Sequence, residues 1–316
     1  MELLVCILLA FALSATVLHS TVSASPAWST AGTVFCGVFV QAVPFLALGV
    51  VVSGLIAAFV TPERLARWLP RRPALAVLAA GVGGAVLPGC ECGSVPVGRR
   101  LFGETGATGA AALTFMLAAP AVNPVVLVAT AVAFPGAPAM VLGRAGASLL
   151  TALIMGWAWA RWGSPEWVTR RLSLPHSEGE SRRAVFVEAA RHDFLAAASY
   201  LVLGAGAAAA LRVLVPRWVF EHLAAHLILG VVVMAALAVV LALCSEADAF
   251  VAASMTMVPL LPRLVFLVVG PAVDVKLFAM QAGMFGRAFA ARFAPASLLV
   301  AVVSACAVGL PLLGGG

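Results

Sequence analysis

The sequence predicts an all-α polytopic membrane protein made of two inverted repeats, with broken or re-entrant helices carrying its cysteine motifs. Three observations predict it. The 316 residues are 63% hydrophobic and only 10% charged, whereas soluble domains carry roughly 45–50% apolar and about 25% charged residues. The charges lie almost entirely between apolar runs, and 18 of the 19 basic residues are Arg, Lys276 being the exception. Two polar cysteine clusters, Cys90-Glu91-Cys92 and Cys244-Ser245-Glu246-Ala247-Asp248, interrupt apolar runs at matching places in the two halves, a pattern that points to a midplane binding site.

Residues 1–23 form an apolar N-terminal anchor or signal-like helix. The segment has no basic stretch of the kind that precedes a cleaved signal, so a retained helix is expected. Residues 24–162 form the first membrane repeat, with spans near 31–60, 107–134 and 138–161, each long enough to cross a bilayer at about 20 residues. A further run, 73–98, bends at Pro88-Gly89. Residues 163–191 hold Arg170, Arg171, Arg182 and Arg183 and read as a basic cytoplasmic linker. Residues 192–316 form the second repeat, with runs near 193–215, 223–258, 264–285 and 293–313.

The arginines also set the topology. Arg64, Arg67, Arg71 and Arg72 place one end of the 73–98 run inside, and Arg99 and Arg100 place its other end inside. That run is therefore expected to be a re-entrant hairpin. The first half then crosses an odd number of times, and its copy runs upside down. The copies align at three landmarks: Leu48-Gly49 with Leu203-Gly204, Cys90 with Cys244, and Pro120-Ala-Val-Asn123 with Pro271-Ala-Val-Asp274. Arg217 and Arg263 face outside in this scheme, which leaves 223–258 open to being a full span.

The candidate site residues are Cys90, Glu91, Cys92, Asn123, Cys244, Glu246, Asp248 and Asp274. Soft thiolates select copper(I), zinc and similar thiophilic ions, and trivalent arsenic follows by the same softness. Cys90 and Cys92 diverge on a regular helix but converge in a turn, and Pro88, Gly89 and Gly93 favour one. Cys244 completes a three-sulfur metal set. Glu91, Glu246 and Asp248 are costly at membrane depth; they ligate a cation, relay protons or line a wet pocket. Asn123 and Asp274 follow Pro-Ala-Val and mark helix breaks. Lys276, two residues beyond Asp274, would compete with a cationic substrate for it.

Several residues take plainer readings. Cys6, Cys36 and Cys306 are expected as small buried hydrophobes. His222 and His226 are interfacial anchors, and Met116, Met255 and Met257 are packing residues. The arginines flank spans and do not gather on one face, so nucleic acid is excluded as a partner. No cofactor motif is visible, and no Gly-x-x-x-x-Gly-Lys phosphate loop is present; energy would come from an ion gradient or a partner.

The stretch from Leu87-Pro-Gly-Cys-Glu-Cys-Gly-Ser through Arg100-Leu101, with Thr114-Phe-Met-Leu-Ala-Ala-Pro-Ala-Val-Asn-Pro124, resembles the bacterial predicted-permease family that includes the organoarsenical efflux permeases. Cys244-Ser-Glu-Ala-Asp-Ala-Phe250 and Gly270-Pro-Ala-Val-Asp-Val-Lys-Leu277 resemble its second-half motifs. The resemblance covers roughly residues 31–313. It implies a multi-pass permease of the inner (plasma) membrane, exporting a thiophilic metal or metalloid, in some relatives beside a second membrane protein subunit. Two rival readings are a membrane thiol oxidoreductase using Cys90 and Cys92, and a non-transporting membrane subunit. The expected partners are the lipid bilayer, the metal or metalloid substrate and that second subunit; no enzymatic activity is expected.

Overall fold

A computed structural model describes residues 72–86, 91–102, 106–164, 183–192, 227–256 and 258–313. It also describes Val168 and scattered positions between 29 and 59 and between 194 and 206. The N-terminal helix expected at 3–23, Cys90, Met257, Arg217, His222 and His226 lie outside the described residues. The protein is an all-α polytopic membrane protein. Among the described residues, four helical stretches are long and apolar enough to cross a membrane: Gly109–Ala133, Pro138–Trp162, Leu260–Met284 and Arg287–Leu313.

The first group of helices comprises α1 (Pro73–Val86), α2 (Glu91–Leu101), α3 (Gly106–Val122), α4 (Pro124–Ala133) and α5 (Pro138–Trp162). The second comprises α6 (Leu227–Leu241), α7 (Ala247–Ser254), α8 (Leu260–Ala272), α9 (Val275–Met284) and α10 (Arg287–Leu313). The run read as 107–134 is thus two helices meeting at Asn123, and the run read as 264–285 is two helices meeting at Val273-Asp274. The 223–258 run is interrupted as well, α6 ending at Leu241 and α7 beginning at Ala247.

Proline chemistry explains these breaks. Pro120 has no N–H for the Met116 carbonyl one turn back; the Ser94 hydroxyl donates to that carbonyl instead, at 3.2 Å, and so ties α2 to α3. Pro124 opens α4 at a position where its missing N–H costs nothing. Gly136 and Gly286, with φ of 80° and 109°, make the turns into α5 and α10, a conformation that a Cβ would strain.

The packing of one group has counterparts in the other. Helix α1 lies on α3 as α6 lies on α8; α3 packs on α5 as α8 packs on α10; α2 touches α3 as α7 touches α8. Between the groups, α5 runs along α10, while α2 meets α9 and α7 meets α4. Small residues allow the close approaches that lipid-embedded helices need: a Cβ on Gly84 would lie 3.0 Å from both the Ala118 Cβ and the Ala119 nitrogen. One apolar core, which includes Leu113, Met140, Leu264, Phe266 and Met280, joins both groups. An aromatic seam of Phe102, Trp159, Phe285 and Phe289 crosses between them, with ring centroids 5.1–5.7 Å apart.

One sequence expectation changes here. Cys36 is exposed and Cys306 half-buried, so neither is the buried hydrophobe expected; on a membrane protein such surface faces lipid as readily as water. Arg99 is only 7% exposed, on a helix packed against α3 and α9. Arg263 wraps back onto the chain before α8, its Nε donating to the Val258 carbonyl at 2.6 Å and its Nη2 to the Thr256 carbonyl at 2.7 Å.

Candidate functional site

The helix breaks converge on a buried cluster of charge. Glu91 opens α2, where a carboxylate favours the positive end of the helix. Asp248 occupies the first turn of α7 in the same way. Between α6 and α7 the chain is unwound at residues 242–244, and Ala242 has a φ of 46°. A non-glycine residue in that region stores strain of about 1–3 kcal/mol, and such positions gather at functional sites. Helix α7 restarts with the Ala247 and Asp248 N–H groups donating to the Cys244 carbonyl, at 2.9 and 3.0 Å.

Asn123 and Asp274 do the same structural task at their two breaks. The Asn123 Oδ1 accepts from the Val126 N–H at 3.0 Å and its Nδ2 donates to the Ala119 carbonyl at 2.8 Å. The Asp274 Oδ1 accepts from the Leu277 N–H. Both are N-caps that satisfy a donor freed at a helix start.

Two ion pairs cross between the helix groups. Lys276 Nζ lies 3.6 Å from Glu91 Oε2, 3.5 Å from Asp274 Oδ2 and 3.5 Å from the Leu243 carbonyl. Arg144 on α5, fully buried, holds both Asp248 oxygens at 2.9 and 3.0 Å. It also donates to the Ser245 carbonyl and to Thr130 Oγ1, each at 2.8 Å. Cys244 Sγ donates to Glu246 Oε2 at 3.0 Å. Glu91 is close enough to Glu246 and Asp248 for their charges to interact. The cluster therefore sets four carboxylates against two cations.

Of the residues expected from sequence, Glu91, Asp274, Cys244, Glu246 and Asp248 are brought into this cluster, and Asn123 sits at the matching break. Cys90 lies outside the described residues, as does the side chain of Cys92, although its backbone belongs to α2. Among the described residues no three His, Cys, Asp or Glu side chains are grouped to hold a metal ion. The pairing of Lys276 with Asp274 was legible; its reach to Glu91 was not. Arg144 was missed, yet it left a signal: before Arg161 it is the sole charge in the 25-residue helix α5. Thr130 and the Leu243 and Ser245 carbonyls left none.

Membrane-spanning helices broken at capped polar residues, around a buried charged cluster, define the class of polytopic membrane proteins with a polar site at membrane depth. Residues 27–310 match the ArsP_1 family, described as predicted permease, and the chain belongs to that family. It is 34% identical over 266 residues to the UPF0718 protein YcgR of Bacillus subtilis (strain 168), covering 81% of this chain and 89% of that one. It is 29% identical over 285 residues to the "Putative two-component membrane permease complex subunit" of Streptococcus mutans (strain UA159), covering 88% and 94%. No solved structure matches the chain.

Proposed function

We propose that this permease is a secondary transporter of two inverted halves that exports a thiophilic metal or metalloid, such as a trivalent arsenical, across the inner (plasma) membrane. The carrying observation is the Cys244 thiol, buried in the unwound stretch between α6 and α7 and donating to the Glu246 carboxylate at 3.0 Å. A soft ion binds the thiolate, so its arrival must displace the thiol proton. Glu246 is placed to take that proton as the metal–sulfur bond forms. With a trivalent arsenical bearing hydroxyls, each arsenic–sulfur bond formed breaks one arsenic–oxygen bond, and the hydroxyl leaves with the thiol proton as water.

Cys90 and Cys92 flank Glu91 in the sequence and would supply the remaining sulfurs, completing the metal set with Cys244. The matched helix pairs and the two capped breaks at Asn123 and Asp274 support the inverted repeat, and the ion pairs between halves give alternating access something to make and break. The Streptococcus mutans relative's description supports a second membrane subunit as partner.

The test is cellular accumulation of a trivalent phenylarsenical, silver and copper in cells expressing the wild type, Cys90→Ser or Cys244→Ser. The wild type keeps at least one of these low and both variants lose the effect. Unchanged handling of all three, with an altered thiol redox state, makes the protein a thiol oxidoreductase and overturns the proposal.

A further inference from the structure

The matching caps Asn123 and Asp274 differ in one respect that capping does not explain. Each follows Pro-Ala-Val, each sits between two halves of a membrane-spanning helix, and each accepts from the N–H three residues on. An amide does this at 123, so the negative charge at 274 is surplus to the cap. That charge has a cost, because Asp274 is 1% exposed and a buried carboxylate is unfavourable without a positive neighbour.

Its neighbour is the Lys276 ammonium, which is shared. The same Nζ faces Glu91 Oε2 and the Leu243 carbonyl, all at 3.5–3.6 Å. Tight charge-assisted bonds from nitrogen to carboxylate run about 2.7–2.9 Å. Neither Glu91 oxygen accepts a hydrogen bond among the described residues, and Asp274 Oδ2 meets the ammonium at 3.5 Å. Leu243 lies in the unwound stretch after α6, where carbonyls released from a helix C-terminus attract positive charge. Two carboxylates and a freed carbonyl are hard oxygen donors, suited to hard cations and poorly suited to the soft cargo of the thiols.

We infer that Glu91, Asp274 and the Leu243 carbonyl form a seat for a hard monovalent cation such as sodium, with the Lys276 ammonium as its tethered occupant in the present state. The seat holds one unit of positive charge, so a monovalent ion takes the place of the ammonium without changing the buried charge when the Lys276 amine gives up its proton to water or swings its charge out of the seat. Glu91 comes from the first helix group and Asp274 and Leu243 from the second, so exchange of ion for ammonium is felt between halves. The inference rests on the transporter reading for its purpose, since it names the coupling ion of the same site, but the binding itself requires no transport.

Purified full-length protein in detergent is unfolded by heat in sodium, potassium or choline chloride at matched ionic strength. Lys276→Met vacates the seat and gains several degrees in sodium or potassium over choline, with saturation as the salt is raised. Adding Asp274→Asn, which keeps the cap and removes the charge, abolishes that gain. Lys276→Gln serves if the methionine variant does not fold. Equal midpoints in sodium, potassium and choline for the vacated seat overturn the inference, as does a cation effect that survives Asp274→Asn. Failure of the accumulation test with a positive binding result would reject the cargo and leave the seat standing.

Discussion

Replacing Arg144 with methionine should be among the most damaging single changes in the described core. Arg144 is fully buried and makes four polar contacts: two with Asp248 at 2.9 and 3.0 Å, and one each with the Ser245 carbonyl and Thr130 Oγ1 at 2.8 Å. Methionine fills similar space with no charge. Asp248, 2% exposed, is then a buried carboxylate without its cation, which costs about 3–5 kcal/mol. The Ser245 carbonyl loses a charged donor as well, an effect of about 1–3 kcal/mol that overlaps the first. The expected loss is about 3–5 kcal/mol in total. Asp248→Leu should cost a similar amount for the converse reason. The double variant should be more stable than the sum of the two, with a coupling of about 1–3 kcal/mol. Reversible unfolding of the purified protein in mixed micelles with increasing dodecyl sulfate measures all three. A loss below about 1 kcal/mol for Arg144→Met, or additive losses in the double variant, would refute the assigned pairing.

Two further predictions test the helix breaks by the same unfolding assay. Asn123→Ala removes the cap of α4 and should cost about 0.5–2 kcal/mol. Ser94→Ala should cost about 1 kcal/mol by stripping the Met116 carbonyl of its hydroxyl donor. In a Pro120→Ala background, where the helix restores its own N–H to that carbonyl, the same serine change should cost close to nothing.

What the sequence made legible follows from how locally each feature is determined. The breaks at Asn123 and Asp274 were readable because proline, a small pair and a capping side chain are neighbours in the chain. The interruption at Cys244–Asp248 was readable because charge at membrane depth stands out in an apolar run, as Glu91 does in its own. Pairing was less accessible. Arg144 meets Asp248 across 104 residues, and nothing local to either residue selects that partner over Glu91 or Glu246. The Leu243 carbonyl could not be found at all, since a backbone oxygen becomes a site only when its helix unwinds.

The most direct measurement of the central claim is uptake by inside-out vesicles or proteoliposomes containing the purified protein, with a trivalent phenylarsenical and silver as the probes. Saturable, gradient-driven uptake of at least one probe is expected, and it is lost in Cys244→Ser while the variant keeps its unfolding midpoint. Uptake of neither probe above protein-free vesicles, or uptake unchanged by Cys244→Ser, would contradict it.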